Sequence, residues 1–375
     1  MANAQSVYQD LGLKPIINAS ATLTRLGGSR MPPEVVDAMR NAAGSFVDLN
    51  AFQERVGMRI AELTHNEAAY VASGAAAGIM LSVASCIVGS DGANTFAFPQ
   101  LTDIPRKEVI VQKVQRNGYD YAIAQTGATV VEIGNSAAEL EAAISDKTAC
   151  IVWFAGGPLA KDALPVEEVI RIAKQRGVPV LVDAAAQVPP VSSFWHFTRD
   201  LGATGAIFSG GKGIRGPQSS GLVLGTKELV EGCRANGNPN HSLGRPMKVG
   251  KEELAGLLAA VEYTLEQDET ALLEQFENIV HGWIEDLAGL PGVTAERRFP
   301  SEAGQPHGRA FIHFNSPCPV SRDEVVTALW EGDPCIAVSP VHDEPDAIAL
   351  NPQTVDPAEA DIIVQRIREV VGFRS

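Results

Sequence analysis

The chain is poor in the features that mark several common protein classes. Its five cysteines, Cys86, Cys150, Cys233, Cys318 and Cys335, include no CxxC pair. An odd and scattered set is a poor disulfide framework, and reduced, mostly buried thiols of a cytoplasmic protein are expected. The seven histidines are dispersed, with no HExxH and no Cys/His cluster at zinc spacing, so no metal site is indicated. Positive charge is scarce: 30 Lys and Arg stand against 45 Asp and Glu, for a net charge of −15. That balance disfavours a nucleic-acid binder or a protein held on anionic lipid. No apolar run is long enough to span a bilayer. The opening MANAQSVYQDLGL has neither the basic nor the apolar region of a signal peptide. No internal repeat or low-complexity tract stands out.

What is present is enough for a large core. The 375 residues are 45% hydrophobic and 20% charged, which suits two folded domains and argues against disorder. Between about 67 and 235 short apolar runs alternate with helical ones. Segments 67–73, 108–114, 129–134, 149–155, 178–186, 206–210 and 221–225 read as strands, and 75–88, 136–144 and 166–177 as helices. Near-continuous apolar strands alternating with helices predict an α/β fold with a mostly parallel sheet covered on both faces. From 251 to about 289 the spacing of Leu254, Leu257, Leu258, Val261 and Leu265 predicts one long helix. A small α+β domain of two or three strands and two helices (321–331 and 357–371) follows. The expected organisation is 1–44 as an N-terminal segment packing on the small domain, 45–260 as the large domain, and 261–375 as the long helix with the small domain.

Three places could carry chemistry. The first is FSGGKGIRGPQSSGLVLG (208–225). Gly211, Gly213 and Gly216 match a dinucleotide fingerprint in form, but Pro217 and a second strand follow where that motif needs a helix. There remains Lys212 after an apolar strand, embedded in glycines. A lone lysine is usually a solvated surface charge; one held on such a turn and desolvated is a Schiff-base nucleophile. The second is Asp183, at the end of the apolar strand VPVLVD. It is either a turn or cap residue or a carboxylate aimed at a ligand, since open α/β sheets bind ligands at the carboxyl ends of their strands. The third is the junction Ser73-Gly74-Ala75, where small residues at a helix start either permit close packing or leave N–H groups free for an anion. The order in the chain, anion turn, Asp, then Lys, favours one site built from all three.

This set resembles a pyridoxal-phosphate enzyme of the aspartate aminotransferase fold. Gly211-Lys212 with Gly216-Pro217-Gln218, and the opening INASATLTRLGGSRMP, resemble the selenocysteine synthase family. With NHSLGRPMKVGKEELAGLLAAVE (240–262), the chain is most similar to its D-glucosaminate-6-phosphate ammonia-lyase branch. The resemblance implies that Lys212 binds pyridoxal 5′-phosphate as a Schiff base, that Asp183 pairs with the ring nitrogen, and that Gln187 reaches the ring hydroxyl. It implies phosphate contacts from Ser73, Gly74, Ala75 and Ser209, with Ser219 and Ser220 near the phosphate of the same or a neighbouring subunit. Gln115 and Arg116, beyond strand 108–114, occupy the region expected to face the ring and are candidates for substrate binding; because an acidic substrate needs an Arg fork, so are Arg25, Arg30, Arg116, Arg215 and Arg245, with Arg245 favoured for its place in a His241/Ser242/Arg245/Lys248 cluster. Related enzymes carry a carboxylate-binding Arg in the small domain, whereas here CIAVSPVHDEPDAIALNP has none. The implied reaction is α,β-elimination of a 2-amino-3-hydroxy acid, such as D-glucosaminate or its 6-phosphate, to a 2-keto-3-deoxy acid and ammonia. Aldol cleavage, racemisation, or transfer on an aminoacyl-tRNA are the alternatives. A homodimer or larger assembly acting on a small molecule is implied, with no nucleic-acid or membrane partner.

Overall fold

A computed structural model describes residues 4–92 and 94–372. The chain divides into two compact units. The smaller comprises the residues up to Gly28, Asp268–Ser301 and the chain from Pro306 on; the larger comprises Ser29–Gln267 with Glu302–Gln305. In chain order the strands are β1 (Ile16–Asn18), β2 (Ala68–Ala72), β3 (Glu108–Gln112), β4 (Thr129–Ile133), β5 (Thr148–Phe154), β6 (Val180–Asp183), β7 (Gly205–Ser209) and β8 (Gly221–Gly225). They continue as β9 (Val293–Arg298), β10 (Arg309–Phe314), β11 (Cys335–Ala337), β12 (Ser339–Pro340) and β13 (Ala347–Leu350).

The larger unit is built on a seven-stranded sheet of order β2-β8-β7-β6-β5-β3-β4. All neighbouring pairs from β7 to β4 are parallel. Only β8 runs against its neighbours β2 and β7, so β2 is parallel to the rest. Every residue of β5 is buried, as a strand covered on both faces requires. One face packs Ile110, Ile151, Val180 and Val182 against helices that include Val166–Gln175. The other packs Val109, Val111, Val152 and Leu181 under the apolar helix Ala75–Val88. Alternate residues of one strand thus feed two cores, the period-two geometry of a pleated strand.

The smaller unit has a four-stranded antiparallel sheet, β12-β13-β10-β9, and a parallel pair, β1-β11. The sheet is wider than expected because the two-residue β12 adds an edge to β13. Trp283, Val280 and Leu287 of the helix Glu269–Leu287 pack on Ile312 and Ile348 in its core. The N-terminal β1 lies beside β11, pairing Ile17 with Ile336.

Two features depart from the sequence reading. The helix expected over 251–289 is two helices, Lys251–Glu266 and Glu269–Leu287. Gln267 is extended (ψ 143°), and the Asp268 carboxylate caps the second helix by accepting from the Ala271 N–H at 3.1 Å. Asp is among the best N-cap residues, and the boundary between the units falls at this break. Residues 29–44 belong to the larger unit rather than to the smaller one. The physical reason is that Val35 and Met39 of the helix Pro33–Ala43 join the core that holds Leu254 and Leu257.

Candidate active site

The sheet register assembles the site from the backbone upward. Ala72, the last residue of β2, pairs with Gly221, which also pairs with Ser209, the last residue of β7. In β6, Asp183 pairs with Ile207 on one side and Phe154 on the other. The carboxyl ends of β2, β7, β6 and β5 therefore share one sheet edge, where open α/β folds bind ligands.

Gly74 opens the helix Ala75–Val88 at φ 121°, ψ 162°, with no side-chain cap and no acidic residue in the first turn. Backbone with such a φ suits glycine. The free N–H groups of that first turn and the helix dipole together favour an anion. Gly221 lies directly behind this turn: a β-carbon there would sit 2.3 Å from Gly74 C and 2.7 Å from Ala75 N.

Lys212 stands on the connection between antiparallel β7 and β8. That connection is closed by Gly210 N–H donating to Ser220 O (2.9 Å) and Gly216 N–H to Gly210 O (2.7 Å). Ser29 fastens it from outside, its N–H and Oγ both donating to Gly211 O (2.9 and 3.0 Å). Burial pushes the Lys212 amine below the ordinary lysine range, against the pull of the Asp183 and Glu302 charges. Burial likewise pushes the Asp183 carboxyl above its ordinary range, against the Ala185 N–H and the Lys212 charge. Both shifts have the same cause: burial disfavours the charged form of each group.

The residues fit pyridoxal phosphate. Asp183 Oδ1 accepts from Ala185 N–H at 3.0 Å, its one hydrogen bond among the described residues. A buried carboxylate has further acceptor sites, which a protonated ring nitrogen would fill. Burial of the Lys212 amine, which lowers its hold on the proton, suits a nucleophile. The uncapped helix start suits a phosphate.

Other expected site residues fall differently. Ser73, Gly74, Ala75 and Ser209 lie half-buried at the shared edge. Gln187 turns its Nε2 to Ala303 O at 2.8 Å. Ser219 is exposed, while Ser220 is fully buried and donates its hydroxyl to Pro217 O at 2.6 Å, holding the turn. Gln115 is fully buried, its amide donating to Phe154 O (2.9 Å) and accepting from Phe154 N–H (3.3 Å), so it ties the turn after β3 to β5. The Arg116 guanidinium is paired with Asp120 and Glu132. Arg215 donates to Arg30 O (3.1 Å) and stacks on Tyr263 at 5.6 Å. Arg245 is half-buried in the larger unit and Arg25 is exposed on a turn of the smaller one. Among the described residues neither guanidinium has a polar partner. The sequence reading missed Glu302, Ala303 and Gln305, far along the chain yet part of the larger unit.

No family model matches the chain. It is 30% identical to the D-glucosaminate-6-phosphate ammonia lyase of Salmonella typhimurium, over 97% of this chain and 98% of that one. It is 32% identical to the 5′-C-glycyluridine monooxygenase-decarboxylase of a Streptomyces species, over 97% and 92%. An L-seryl-tRNA(Sec) selenium transferase of Carboxydothermus hydrogenoformans is 24% identical over 71% of this chain and 60% of its own. A solved structure of a D-glucosaminate-6-phosphate ammonia-lyase superposes with a TM-score of 0.85 at 29% identity, covering 99% of both chains. Fold and site define a pyridoxal-phosphate-dependent enzyme of the aspartate aminotransferase fold. Within that class, the chain belongs to the selenocysteine synthase-like family, in the branch that includes D-glucosaminate-6-phosphate ammonia-lyase.

Proposed function

We propose that the protein is an ammonia-lyase that converts a 2-amino-3-hydroxy sugar acid of the D-glucosaminate type, free or as its 6-phosphate, to a 2-keto-3-deoxy acid and ammonia. The observation that carries the reading is the full-length match to an enzyme of that name. The Lys212–Asp183 pair at the sheet edge supports it.

Bound pyridoxal phosphate supplies an electron sink for the carbanion left when Cα loses a proton. Lys212 would hold the cofactor, and its amine would be the base for the Cα proton. The same amine returns that proton to the departing C3 hydroxyl, which leaves as water. Asp183 would pair with the ring nitrogen and keep it protonated. Ser73, Gly74, Ala75 and Ser209 would hold the phosphate, and Gln187 would reach the ring hydroxyl. Arg245 and Arg25 remain the candidates for the substrate carboxylate.

A second reading rests on the equally long match to a monooxygenase-decarboxylase. In that case the bond to the carboxylate breaks instead, with uptake of oxygen. Incubation with D-glucosaminate and its 6-phosphate decides between them. Equal amounts of keto acid and ammonia, with no oxygen consumed, support the lyase; oxygen uptake with carbon dioxide release overturns it.

The acting unit in this reading is a homodimer or larger. Fully exposed Phe46, beside exposed Val47, supports this, since covering such side chains removes apolar surface from water. Five cysteines without a disulfide support a cytoplasmic site of action. Among the described residues no helix is long and apolar enough to cross a membrane.

A further inference from the structure

Asp183 ends its strand and leads into a turn, Ala184-Ala185-Ala186-Gln187. The three alanines bring no polar side chain, so the place of this turn depends on what its backbone groups bond to. On its inner side it is tied to Asp183 and to β7. Ala185 N–H donates to Asp183 Oδ1 at 3.0 Å, Ala184 N–H to Ile207 O at 2.8 Å, and Ser209 N–H to Ala185 O at 3.2 Å. Gln187 N–H closes the turn on Ala184 O at 3.0 Å. The Ala186 carbonyl is taken by a residue remote in the sequence, Gln305, whose Nε2 donates to it at 3.0 Å.

Gln305 is 2% exposed, and a buried amide is costly unless its polar atoms are bonded. Its Oε1 accepts from Ala303 N–H at 3.3 Å, which sets Nε2 toward Ala186. Gly304, at φ 85°, makes the tight turn between them. Gln187 Nε2 bonds back to Ala303 O at 2.8 Å. The segment Glu302–Gln305 belongs to the larger unit, although the chain on either side of it belongs to the smaller one. Asp183 has one hydrogen bond among the described residues, and it comes from the turn that Gln305 holds. A turn that shifts therefore takes the carboxylate's orientation with it. We propose that Gln305 is a positioning residue for the cofactor: by fixing the Ala186 carbonyl it holds the Ala184–Gln187 turn, and through Ala185 N–H the Asp183 carboxylate, in the orientation that meets the ring nitrogen of pyridoxal phosphate. This rests on the reading of Asp183 as the partner of that nitrogen.

The test measures cofactor affinity and backbone exchange rather than turnover. Pyridoxal phosphate is titrated by absorbance into apoprotein of wild type, Asp183→Asn, Gln305→Glu and Gln305→Met, and into each Gln305 variant combined with Asp183→Asn. Gln305→Glu keeps the length of the side chain and the acceptor for Ala303 N–H, but as a carboxylate it has no hydrogen to give Ala186 O. The Kd should rise roughly 3- to 10-fold in either Gln305 variant, the worth of one hydrogen bond expressed as affinity. With Asp183→Asn already in place, the same change should add nothing, because residues that act through one another are not additive. In the apoproteins, hydrogen exchange of the peptide carrying residues 184–187 should be faster in both Gln305 variants. Wild-type affinity in folded Gln305→Glu overturns the proposal, as does unchanged exchange at 184–187. An equal loss of affinity with and without Asp183 also overturns it, since Gln305 then acts on the fold and not through that carboxylate. Should Gln305→Glu fail to fold, Gln305→Met, uncharged and of similar length, decides alone by the same comparisons. Failure of the reading on which this rests shows separately, as an Asp183→Asn protein with Gln305 intact that binds pyridoxal phosphate as tightly as wild type.

Discussion

Gly221→Ala is a direct test of the phosphate turn. Gly221 starts β8 and is squeezed between the ends of β2 and β7. A β-carbon there would lie 2.3 Å from Gly74 C, 2.5 Å from Gly74 O and 2.7 Å from Ala75 N. Carbon contacts settle near about 3.5 Å, so the Gly74–Ala75 peptide must retreat by roughly 1 Å. Overpacking of this kind costs about 1–3 kcal/mol. The displaced atoms are the ones proposed to meet the cofactor phosphate. With about 1.4 kcal/mol per tenfold in affinity, the Kd for pyridoxal phosphate should rise roughly 10- to 100-fold. Gly225→Ala is the matched control. It lies at the other end of β8, about 13 Å away at the rise of a strand, and its β-carbon would meet Thr204 O at 2.2 Å and Gly205 Cα at 2.9 Å. Both variants should lose thermal stability as apoproteins, but only Gly221→Ala should lose affinity in an absorbance titration with pyridoxal phosphate. Wild-type affinity in a destabilised Gly221→Ala, or an equal loss in Gly225→Ala, would refute the reasoning.

Two further outcomes follow from the charges. The Asp183 carboxyl holds its proton more tightly in the folded apoprotein than in the unfolded chain. Its contribution to stability is therefore full below the ordinary carboxyl range and lost as pH rises toward the raised value. Apo Asp183→Asn should consequently melt at or above the wild-type temperature at pH 8, with the gap closing toward pH 4, whereas with saturating cofactor the order should reverse; melting curves at both pH values check this. Arg116→Ala should leave KM within about twofold of wild type, on the order of a few tenths of a kcal/mol, because its guanidinium is engaged by Asp120 and Glu132. Steady-state kinetics with D-glucosaminate 6-phosphate measures it.

The large unit was legible because its strands are apolar on both faces. The helix Ala75–Val88 and the strand Gly221–Gly225 fall where the patterns put them. The break at Gln267–Asp268 was hidden because the helical pattern runs through it, and a single capping carboxylate decides the outcome. At the site, Asp183 and Lys212 were legible because each ends or follows an apolar strand on one sheet edge. The partners of Gln115 and Arg116 were not legible, because position beyond a strand end does not reveal which backbone or carboxylate takes the side chain. Glu302–Gln305 carried no local signal at all. Its bonds to Ala186 and Gln187 span 119 and 116 residues, and only the folded chain brings them together.

The most direct measurement is borohydride reduction of the pyridoxal-phosphate-loaded protein followed by peptide mapping. The account predicts loss of the visible absorbance and one modified peptide, bearing the reduced cofactor on Lys212. In Lys212→Ala the label should be absent while the protein remains folded. Modification at another lysine, or a protein that takes up no cofactor, would contradict the assignment of this lysine and of the site around it.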